Sequence, residues 1–506
     1  MPNPLYEALF STLQDRQSTL LHLQDGSHIS GTAFHAMIAR AANALRASGI
    51  TPGDRVAVQI AKSPEALAIY AATISIGAVF LPLNPAYTPH EVEYFIGNAT
   101  PHLLICAPTN AGTLAPIAAE HRARLFTLDG AGQGSFADLM ADHSDDFTPT
   151  LRTTDDLAAI LYTSGTTGRS KGAMLTHGNL LSNAIVLAGL WRFTDQDVLV
   201  HALPIFHTHG LFVATNVALL TGGSMIFLPG FDADTVLHHL PQATTMMGVP
   251  TFYTRLLAHP GFTTSTAAHV RLFVSGSAPL LADTHARFHA RTGHHILERY
   301  GMTETNMITS NPYDGARRAG TVGFPLPGTE VRITADGADV APGEIGVIEV
   351  RGPNVFAGYW QMPEKTAEDL RPDGWFITGD LGRVDADGYL HIVGRSKDLI
   401  ISGGYNIYPI EIEAMLDAVP GVAESAVIGL PHADLGEAVF AVITAKPGVV
   451  VEPGIVLAEL HETLARFKQP RGAVVVADLP RNAMGKVQKA ALRAQYADWF
   501  AAVKNS

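Results

Sequence analysis

The first half of the chain alternates short apolar runs with segments whose apolar residues recur at helical spacing. The apolar runs at 55–60, 78–83 and 103–106 predict buried strands. Ser63 and Thr88 each precede a proline and an early glutamate, which is typical of a helix N-terminus, so we expect helices between these strands. The glutamate after Thr88 also has the spacing of a capping box. Strands that alternate with helices predict parallel α/β layers.

The pattern changes twice in the second half of the chain. Short strands at 330–333 and 346–351 are separated by glycine and proline, which predicts a β-rich subdomain. After Gly394, helices and strands are interleaved. We therefore expect an α/β protein in which residues 1–394 form a large N-terminal domain of layered α/β subdomains plus the β-rich subdomain, and residues 395–506 form a small α+β C-terminal domain. The elements predicted in the smaller domain are helices at 410–418 and 455–467 and strands at 423–428, 438–444 and 473–477.

Composition excludes several classes of protein. The 506 residues include 34 basic and 47 acidic side chains, and the formal net charge is −13. This charge argues against a general nucleic-acid binder, although it leaves room for a local pocket that binds a small anion. The single cysteine, Cys106, excludes an internal disulfide framework and any multi-thiolate metal site within one chain.

Apolar residues make up 47% of the chain, yet we expect no membrane span. The longest apolar stretch, at 66–83, contains several polar residues and Pro82, whereas a spanning helix needs about 20 apolar residues. The first residues lack the basic segment and apolar run of a secretory signal, and the last three are neither a prenylation box nor a peroxisomal signal. We therefore expect a cytoplasmic protein.

A loop rich in glycine, serine and threonine, at 163–172, follows the apolar run at 157–162. Glycines let backbone N–H groups turn toward an anion, the hydroxyls add donors, and Arg169 and Lys171 add positive charge. The loop is not a Walker A motif, because the Gly-Lys-Ser/Thr ending is missing. Its composition therefore predicts a phosphate-binding site of another kind.

This loop and further motifs along the chain resemble, in order, those of the adenylate-forming superfamily: acyl-CoA synthetases, aryl-CoA ligases, luciferases and peptide-synthetase adenylation domains. In that family a carboxylate attacks the α-phosphorus of ATP to give an acyl-adenylate and pyrophosphate, and a thiol then displaces AMP. The resemblance covers nearly the whole chain. The further motifs are Pro204-Ile205-Phe206-His207, Ser275-Gly276-Ser277-Ala278-Pro279, Tyr300-Gly301-Met302-Thr303-Glu304, Thr378-Gly379-Asp380, Gly394-Arg395-Ser396-Lys397-Asp398 and Pro480-Arg481-Asn482-Ala483-Met484-Gly485-Lys486.

The resemblance implies a site for ATP and Mg²⁺. The glycine-rich loop would hold the β- and γ-phosphates and Thr303 the α-phosphate, while Glu304 would bind Mg²⁺, a cation that prefers oxygen ligands. Tyr300 would stack on adenine. Asp380 would accept hydrogen bonds from the ribose hydroxyls, and Arg395 would face the same ribose. The residues assigned to ATP in this way are Thr163, Ser164, Gly165, Thr166, Thr167, Gly168, Lys171, Ser277, Ala278, Pro279, Tyr300, Gly301, Met302, Asp380 and Arg395.

The resemblance also assigns catalytic roles in both steps. Lys486 would bridge the attacking carboxylate and the α-phosphate, and His207 would lie beside that carboxylate. Because Lys486 is far from the other motifs in sequence, the small domain is expected to be mobile, with a hinge at Lys397 and Asp398. The glycines at 403–404 (Gly403, Gly404) would line the channel for coenzyme A. Lys486 is also expected to be reversibly acetylated, by an acetyltransferase and a deacetylase, which would remove its charge.

Two residues of the expected acid pocket, His209 and Arg299, indicate the class of substrate. Arg299 and His209 would be costly beside a purely apolar acyl chain, because an unpaired charge is expensive to bury. A second carboxylate on the substrate would pair with the Arg299 guanidinium in a bidentate manner. The run at 298–304, together with His207-Thr208-His209, looks most like malonyl-CoA synthetases. Thr208 and Met307 are the neighbours expected to set the pocket size and so to decide whether a 2-methyl group fits. The alternative is that Arg299 pairs with Glu298 or another protein acid and that the pocket takes a monocarboxylate.

The sequence therefore predicts an ATP-dependent ligase that makes malonyl-CoA from malonate, and that also accepts methylmalonate if the pocket has room for a methyl group. The expected partners are the small molecules malonate, ATP and coenzyme A, with no nucleic acid and no membrane. Two alternatives stay open. One is a short-chain or aryl monocarboxylate–CoA ligase, and the other is a stand-alone adenylation enzyme that loads a carrier protein.

Overall fold

A computed structural model describes residues 3–163, 170–403, 405–460, 464–482 and 485–502. The chain divides into two compact units. The first comprises Met1–Val331 and Val350–Phe376, and the second comprises Arg332–Glu349 and Ile377–Ser506.

The strands of the first unit form a mainly parallel sheet in the order β6-β5-β3-β4-β7-β8, with β8 antiparallel at one edge, and a larger sheet in the order β15-β14-β13-β12-β11-β9-β10-β1-β2. In the larger sheet β13, β12, β11, β9, β10 and β1 are parallel. The strands are β1 (Thr19–Leu23), β2 (His28–Ser30), β3 (Arg55–Gln59), β4 (Val79–Pro82), β5 (Leu103–Cys106), β6 (Arg124–Thr127), β7 (Leu157–Thr163), β8 (Lys171–Thr176), β9 (Val198–His201), β10 (Ser224–Phe227), β11 (Thr245–Gly248), β12 (Leu272–Ser275), β13 (Leu297–Met302), β14 (Asn306–Ser310) and β15 (Phe324–Pro325).

Helices of the first unit connect these strands, as the alternating pattern predicts. The Ser63 hydroxyl caps α3, and Thr88 with Glu91 forms a complete capping box at α4. The described residues contain no helix long and apolar enough to cross a membrane. The helices are α1 (Pro4–Leu9), α2 (Gly31–Ala47), α3 (Pro64–Ser75), α4 (Pro89–Ala99), α5 (Ala111–Glu120), α6 (Ser135–Ala141), α7 (His177–Leu190), α8 (Asn216–Leu220), α9 (Ala233–His239), α10 (Pro250–Ala258), α11 (Thr264–Ala267), α12 (Ala282–Thr292) and α13 (Pro363–Asp369).

Each sheet of the first unit has its own apolar core. Phe95, Leu104 and Ile160 belong to the core of the smaller sheet, and Tyr253 and Phe273 to that of the larger one. In the larger sheet the parallel strands β9, β11 and β12 end beside one another, so the loops that follow them meet at one edge. Loops at the carboxyl ends of parallel strands commonly form ligand sites.

The second unit contains the predicted β-rich segment, in which the strand order is β17-β16-β18-β19-β20, and a further sheet in the order β22-β21-β24-β23 with β25 beside β24. Its strands are β16 (Glu330–Ala335), β17 (Ala338–Asp339), β18 (Gly346–Arg351), β19 (Phe376–Val384), β20 (Leu390–Arg395), β21 (Ile400–Ser402), β22 (Tyr405–Ile407), β23 (Val422–His432), β24 (Gly436–Ala445) and β25 (Gly472–Val476). Its helices are α14 (Pro409–Asp417), α15 (Pro453–Glu459), α16 (Lys489–Gln495) and α17 (Trp499–Ala502).

The predicted fold class is confirmed, with corrections of detail. The helix predicted at 455–467 is wrong in its second half, because α15 ends at Glu459 and the described residues after 463 form turns. There the Gln469 side chain donates to the carbonyl of Leu464 at 2.8 Å, and Pro470 disfavours a helix in the residue before it. The domain boundary after Gly394 stays a prediction. The compact units divide earlier because β19 and β20 pair as one hairpin.

Candidate active site

The predicted acid-pocket histidines, His207 and His209, lie in the segment that follows β9. β9 ends at His201, and a π-helical turn, His209–Thr215, begins within the same connection. Such turns are rare and are frequent at functional sites. Thr208 and His209 are buried and His207 is partly exposed, so all three lie at or just beneath the surface of the first unit.

Arg299 is buried on β13 and is only 4% exposed. Gly276 makes room for it, because a Cβ atom at Gly276 would lie 2.4 Å from Arg299 Cζ. Among the described residues no group forms a hydrogen bond with Arg299 Nε or Nη2, although both atoms are buried. Burial lowers the pKa of this guanidinium to about 9. Arg299 is therefore a buried cation whose donors are free to take an anion.

Glu298, the neighbour of Arg299 in sequence, is not its partner. Successive side chains of a strand point to opposite faces of the sheet. Glu298 accepts a hydrogen bond from the backbone N–H of Gly320 at 3.3 Å, and burial raises the pKa of its carboxyl to about 8. The described residues hold no ion pair between Arg299 and Glu298 or any other acid, so the arrangement that would have favoured a monocarboxylate is absent there.

The histidines around Arg299 are neutral near pH 7. Burial, followed by repulsion from the Arg299 guanidinium, lowers the pKa of His207 to about 4 and that of His209 well below its usual range. His209 Nδ1 lies 3.2 Å from Ser277 Oγ, and the His209 backbone N–H donates to His207 Nδ1 at 3.3 Å. His209 Nε2 and Thr208 Oγ1 are buried without a hydrogen-bond partner among the described residues. These atoms can add donors beside the guanidinium.

The hairpin of β13 and β14 carries the Tyr-Gly-Met-Thr-Glu motif. Gly301 lies opposite Met307 at a bulge, where a Cβ atom would come within 2.0 Å of the Asn306 carbonyl oxygen. Tyr300 and Met302 are partly exposed, while Met307 is buried. Ser277, which follows β12, has a φ of 73°, a strained conformation for a residue with a side chain. Ala278, like Ser277, is partly exposed, and Pro279 is exposed.

Only the ends of the glycine-rich loop lie within the described residues. Thr163 ends β7 and Lys171 begins β8, and the two residues are paired in the antiparallel register. The predicted phosphate-binding residues Ser164, Gly165, Thr166, Thr167 and Gly168, together with Arg169, lie outside the described residues.

Tyr359 links Lys171 with Glu304, a connection that the motifs do not reveal. Its hydroxyl donates to Glu304 Oε1 at 3.1 Å and accepts from Lys171 Nζ at 3.1 Å. Lys171 also lies over the Tyr359 ring and forms an ion pair with Asp369. Burial and then the Glu304 carboxylate raise the pKa of the tyrosine. The groups predicted to contact the phosphates therefore have protein partners.

The donor set around Glu304 fits Mg²⁺. A carboxylate oxygen and the neighbouring Thr303 hydroxyl are hard oxygen ligands, and Mg²⁺ is commonly held by one or two carboxylates together with substrate phosphates and water. The described residues contain no cluster of three or more histidine, cysteine, aspartate or glutamate side chains that could hold a metal by themselves. Glu304 would therefore share the ion with the nucleotide.

In the second unit, Asp380 and Arg395 face each other across the β19–β20 hairpin. Arg395 Nε lies 2.6 Å from Asp380 Oδ1, and Asp380 is buried. Lys397 and Asp398 form the short 3₁₀ turn that follows, where Asp398 pairs with Arg493 at 2.5 Å. Gly403 has a φ of 57°, and Gly404 lies outside the described residues.

Hydrogen bonds within the second unit stabilise the loop that contains Lys486. The Lys486 backbone N–H donates to Asn482 Oδ1 at 3.0 Å, and Arg481 Nη1 donates to the Gly485 carbonyl at 2.8 Å. Arg481 also pairs with Glu424. Burial of the ammonium group and then repulsion from nearby cations, Arg395 first, lower the pKa of Lys486 to about 8. The side chain remains exposed enough to meet a ligand.

Comparisons with known proteins identify the family of the chain. The chain matches the AMP-binding enzyme family over residues 11–360 and the AMP-binding enzyme C-terminal domain over residues 411–486. It is 40% identical over 478 residues to a feruloyl-CoA synthase from an Amycolatopsis species, covering 93% of this chain and 94% of the relative. It is 37% identical over 480 residues to a malonate–CoA ligase from Arabidopsis thaliana, covering 88% and 78%.

A solved structure with the same fold extends the comparison to the whole chain. The crystal structure of ATP-bound MatB from Rhodopseudomonas palustris has a TM-score of 0.97 and is 56% identical, covering 99% of this chain and 100% of that one. The curated relatives carry names with different acids, ferulate and malonate. Overall similarity therefore establishes the class of reaction but leaves the acid to be argued from the pocket.

Proposed function

The chain belongs to the AMP-binding enzyme family, and within that family we propose that it joins malonate to coenzyme A. It is an AMP-forming acid–CoA ligase that uses ATP. In the proposed reaction one carboxylate of malonate is activated as an acyl-adenylate and then transferred to the thiol of coenzyme A. The products are malonyl-CoA, AMP and pyrophosphate.

The observation that carries this proposal is the unpaired guanidinium of Arg299. Burying a charge is costly unless it is paired. Arg299 has no acidic partner among the described residues, and the histidines beside it are neutral. A dicarboxylate supplies the missing charge, because its second carboxylate can accept from the fork of the guanidinium while its first carboxylate reacts. An acid with one carboxylate would leave the cation buried and unpaired.

In the first step a malonate oxygen forms a bond to the α-phosphorus as the bond from that phosphorus to the pyrophosphate oxygen breaks. Lys486 neutralises charge between the carboxylate and the α-phosphate, and Thr303 donates to the α-phosphate. Bound Mg²⁺ would supply further positive charge at the triphosphate, with Glu304 as its protein ligand. Positioning and electrostatic stabilisation carry such a reaction.

In the second step the thiol of coenzyme A loses its proton to solvent, and the thiolate sulfur bonds to the acyl carbon as the bond from that carbon to the AMP oxygen breaks. His207 lies beside the reacting carboxyl group in this scheme, and Gly403 and Gly404 line the path of the thiol. Asp380 and Arg395 hold the ribose, so the leaving AMP remains oriented. Lys397 and Asp398 are the proposed hinge, about which the small domain would turn after the first step and before the second.

An aryl acid is the second candidate substrate, because the feruloyl-CoA synthase from Amycolatopsis is 40% identical to this chain. The two candidates differ at Arg299. In a pocket for an aromatic monocarboxylate, we would expect a protein acid to pair with the buried guanidinium or an uncharged residue to stand in place of the arginine. A malonate pocket requires the unpaired guanidinium.

The test is AMP release by the purified protein with ATP, Mg²⁺ and coenzyme A across malonate, methylmalonate, succinate, acetate, benzoate and ferulate. We expect the highest turnover with malonate and a strict dependence on coenzyme A. Preference for benzoate or ferulate would overturn the malonate proposal and leave the class of reaction intact. AMP release that needs a carrier protein in place of coenzyme A would indicate a stand-alone adenylation enzyme.

A further inference from the structure

A lysine that belongs to none of the recognised motifs contacts the segment that leads to the acid-pocket histidines. Lys62 follows β3, and its ammonium group donates to the carbonyl oxygens of His201 and Leu203 at 2.7 and 3.0 Å. The third contact of the ammonium is to His201 Nδ1 at 2.8 Å. The group also lies 4.3 Å from the centre of the Phe227 ring. Each N–H bond of the ammonium thus has an acceptor.

The contacts of His201 fix the tautomer of its ring. His201 Nε2 lies 2.9 Å from the carbonyl oxygen of Gly210, which can only accept, so this nitrogen carries the proton. His201 Nδ1 is then the acceptor for Lys62. Thr215 Oγ1 donates to the same Gly210 oxygen at 2.9 Å and lies 3.0 Å from His201 Nε2. The network is fully hydrogen-bonded and joins Lys62 to the π-helical turn.

This network closes the base of the loop that carries the acid-pocket histidines. Lys62 binds the Leu203 carbonyl where the chain enters the loop, and His201 binds the Gly210 carbonyl where it leaves. The two ends are also in close contact, since a Cβ atom at Gly210 would lie 2.0 Å from the Pro204 carbonyl oxygen. His207, Thr208 and His209 lie between these two fixed points. Their positions therefore depend on the Lys62 contacts.

We propose that Lys62 is a positioning residue for recognition of the second carboxylate of the substrate, acting through His201 and the loop that ends at Gly210. This inference rests on the proposed function, because it concerns the malonate pocket. Lys62 contacts neither substrate in this proposal. It holds the loop that places His209 Nδ1 3.2 Å from Ser277 Oγ, and misplacing such a group by about 1 Å can cost up to a hundredfold.

The test replaces Lys62 with methionine, which keeps the length of the side chain and removes the three donors. We expect the KM for malonate to rise about tenfold or more, with the KM for ATP unchanged. The preference for malonate over propionate, which lacks the second carboxylate, should fall by a similar factor. Lys446→Met, the same change at an exposed lysine of the second unit, serves as the matched control and should alter neither value.

A second, smaller change tests the inference if the Lys62→Met variant does not fold. Thr215→Val removes only the hydroxyl at the far end of the network, and we expect the malonate KM to rise in the same direction by a smaller factor. An unchanged malonate KM in Lys62→Met would overturn the inference. So would an equal rise in the KM values for malonate and ATP, since that is the result of a general structural role.

The wild-type acid panel separates this inference from the proposed function. If the wild type prefers another acid, the malonate proposal fails, and the Lys62→Met variant is then measured with that acid. A selective rise in the KM for the preferred acid would support positioning of the acid pocket by Lys62, and for an acid with one carboxylate it would overturn the role of Lys62 in recognition of a second carboxylate. Equal effects on both substrates would overturn it whichever acid is used.

Discussion

Arg271 and Arg299 lie in the same sheet of the first unit, yet their guanidinium groups have opposite surroundings. Arg271, just before β12, donates from Nε and Nη2 to the Asp197 carboxylate at 2.9 and 2.7 Å, and its other N–H groups bind the carbonyls of Trp191 and Arg192. Burial acts to lower its pKa, but hydrogen bonds and charge, those of Asp197 first, raise it. Arg299 has no such acid, and burial lowers its pKa.

The difference separates a structural cation from a binding one. Arg271 lies at the amino end of its strand and fixes two connections of the sheet to each other. Arg299 lies near the loops that follow the parallel strands, where ligands of such sheets bind. Its missing partner is therefore expected to arrive with the substrate. A buried arginine is therefore structural where an acid of the protein pairs with it, as in Arg271, and available to bind a ligand where no such acid is present, as in Arg299.

Replacing Arg299 with leucine should have the largest effect on activity. We expect kcat/KM for malonate to fall by about a hundredfold or more, because truncating one partner of a buried charge pair costs about 2–5 kcal/mol. The KM for ATP should be unchanged, and the melting temperature should stay constant or rise as an unpaired buried charge is removed. Steady-state assays and thermal melts measure both. Malonate turnover close to wild type would refute the pocket assignment.

Replacing Arg271 with leucine should instead reduce stability. Asp197 would be left as a buried, uncompensated carboxylate, so we expect the free energy of unfolding to fall by about 3–5 kcal/mol. The preference of the folded fraction for malonate over propionate should be retained. Arg287→Leu is the matched control, since Arg287 forms an exposed ion pair with Asp283 and should cost less than about 1 kcal/mol. If Arg271→Leu lost its preference for malonate, Arg271 would also take part in recognition of the acid, and the assignment of a purely structural role to it would be wrong.

Local signals made much of the fold predictable from the sequence. Ser63 and Thr88 predict the starts of helices, because an N-terminal cap depends only on residues within one turn. The apolar runs at 55–60 and 103–106 predict buried strands. The helix predicted at 455–467 is wrong because its apolar spacing gave no sign of the early end at Glu459. Spacing identifies which face would be buried but not where the tertiary structure ends a helix.

The candidate site was predictable where a motif carried the residue and not where a distant contact defines it. Arg299 stands beside a motif and was expected from the sequence. Its lack of an acid, and the pairing of Arg271 with a carboxylate 74 residues away, are properties of the fold. Lys62 and Tyr359 were missed for the same reason, since their partners lie 139 and 188 residues away. No local pattern marks such contacts.

Replacing Tyr359 with phenylalanine should have a moderate effect confined to the nucleotide. The hydroxyl orients Glu304 and Lys171, and a hydrogen bond to a charged group contributes about 1.5–3 kcal/mol. We expect the KM for ATP and the Mg²⁺ concentration needed for ATP binding to rise about tenfold, with the malonate KM unchanged. Calorimetric titration of ATP at several Mg²⁺ concentrations measures the binding directly.

Tyr87→Phe is the matched control for this variant. The described residues give the Tyr87 hydroxyl no hydrogen-bond partner, so its loss should leave ATP binding unaltered. A rise in the malonate KM of Tyr359→Phe would show that this tyrosine also affects the acid pocket and would contradict the prediction. On the nucleotide side Lys171 and Glu304 have partners within the protein, whereas on the acid side Arg299 has no acidic partner among the described residues.

The smallest effect concerns the pH dependence of stability and tests the electrostatic coupling of Arg299 to His207. The pKa of His207 is about 4 in the folded protein and about 6.5 in an unfolded chain, so the unfolded state takes up a proton first as the pH falls. The free energy of unfolding should therefore decrease from about pH 6.5 toward pH 4. Arg299 contributes to that depressed pKa, so Arg299→Leu should weaken the decrease, by less than about 1 kcal/mol at pH 5, and Arg287→Leu, at an exposed ion pair, should not. Urea unfolding at pH 7 and pH 5 measures the change, and equal slopes in both variants would contradict the coupling of His207 to Arg299.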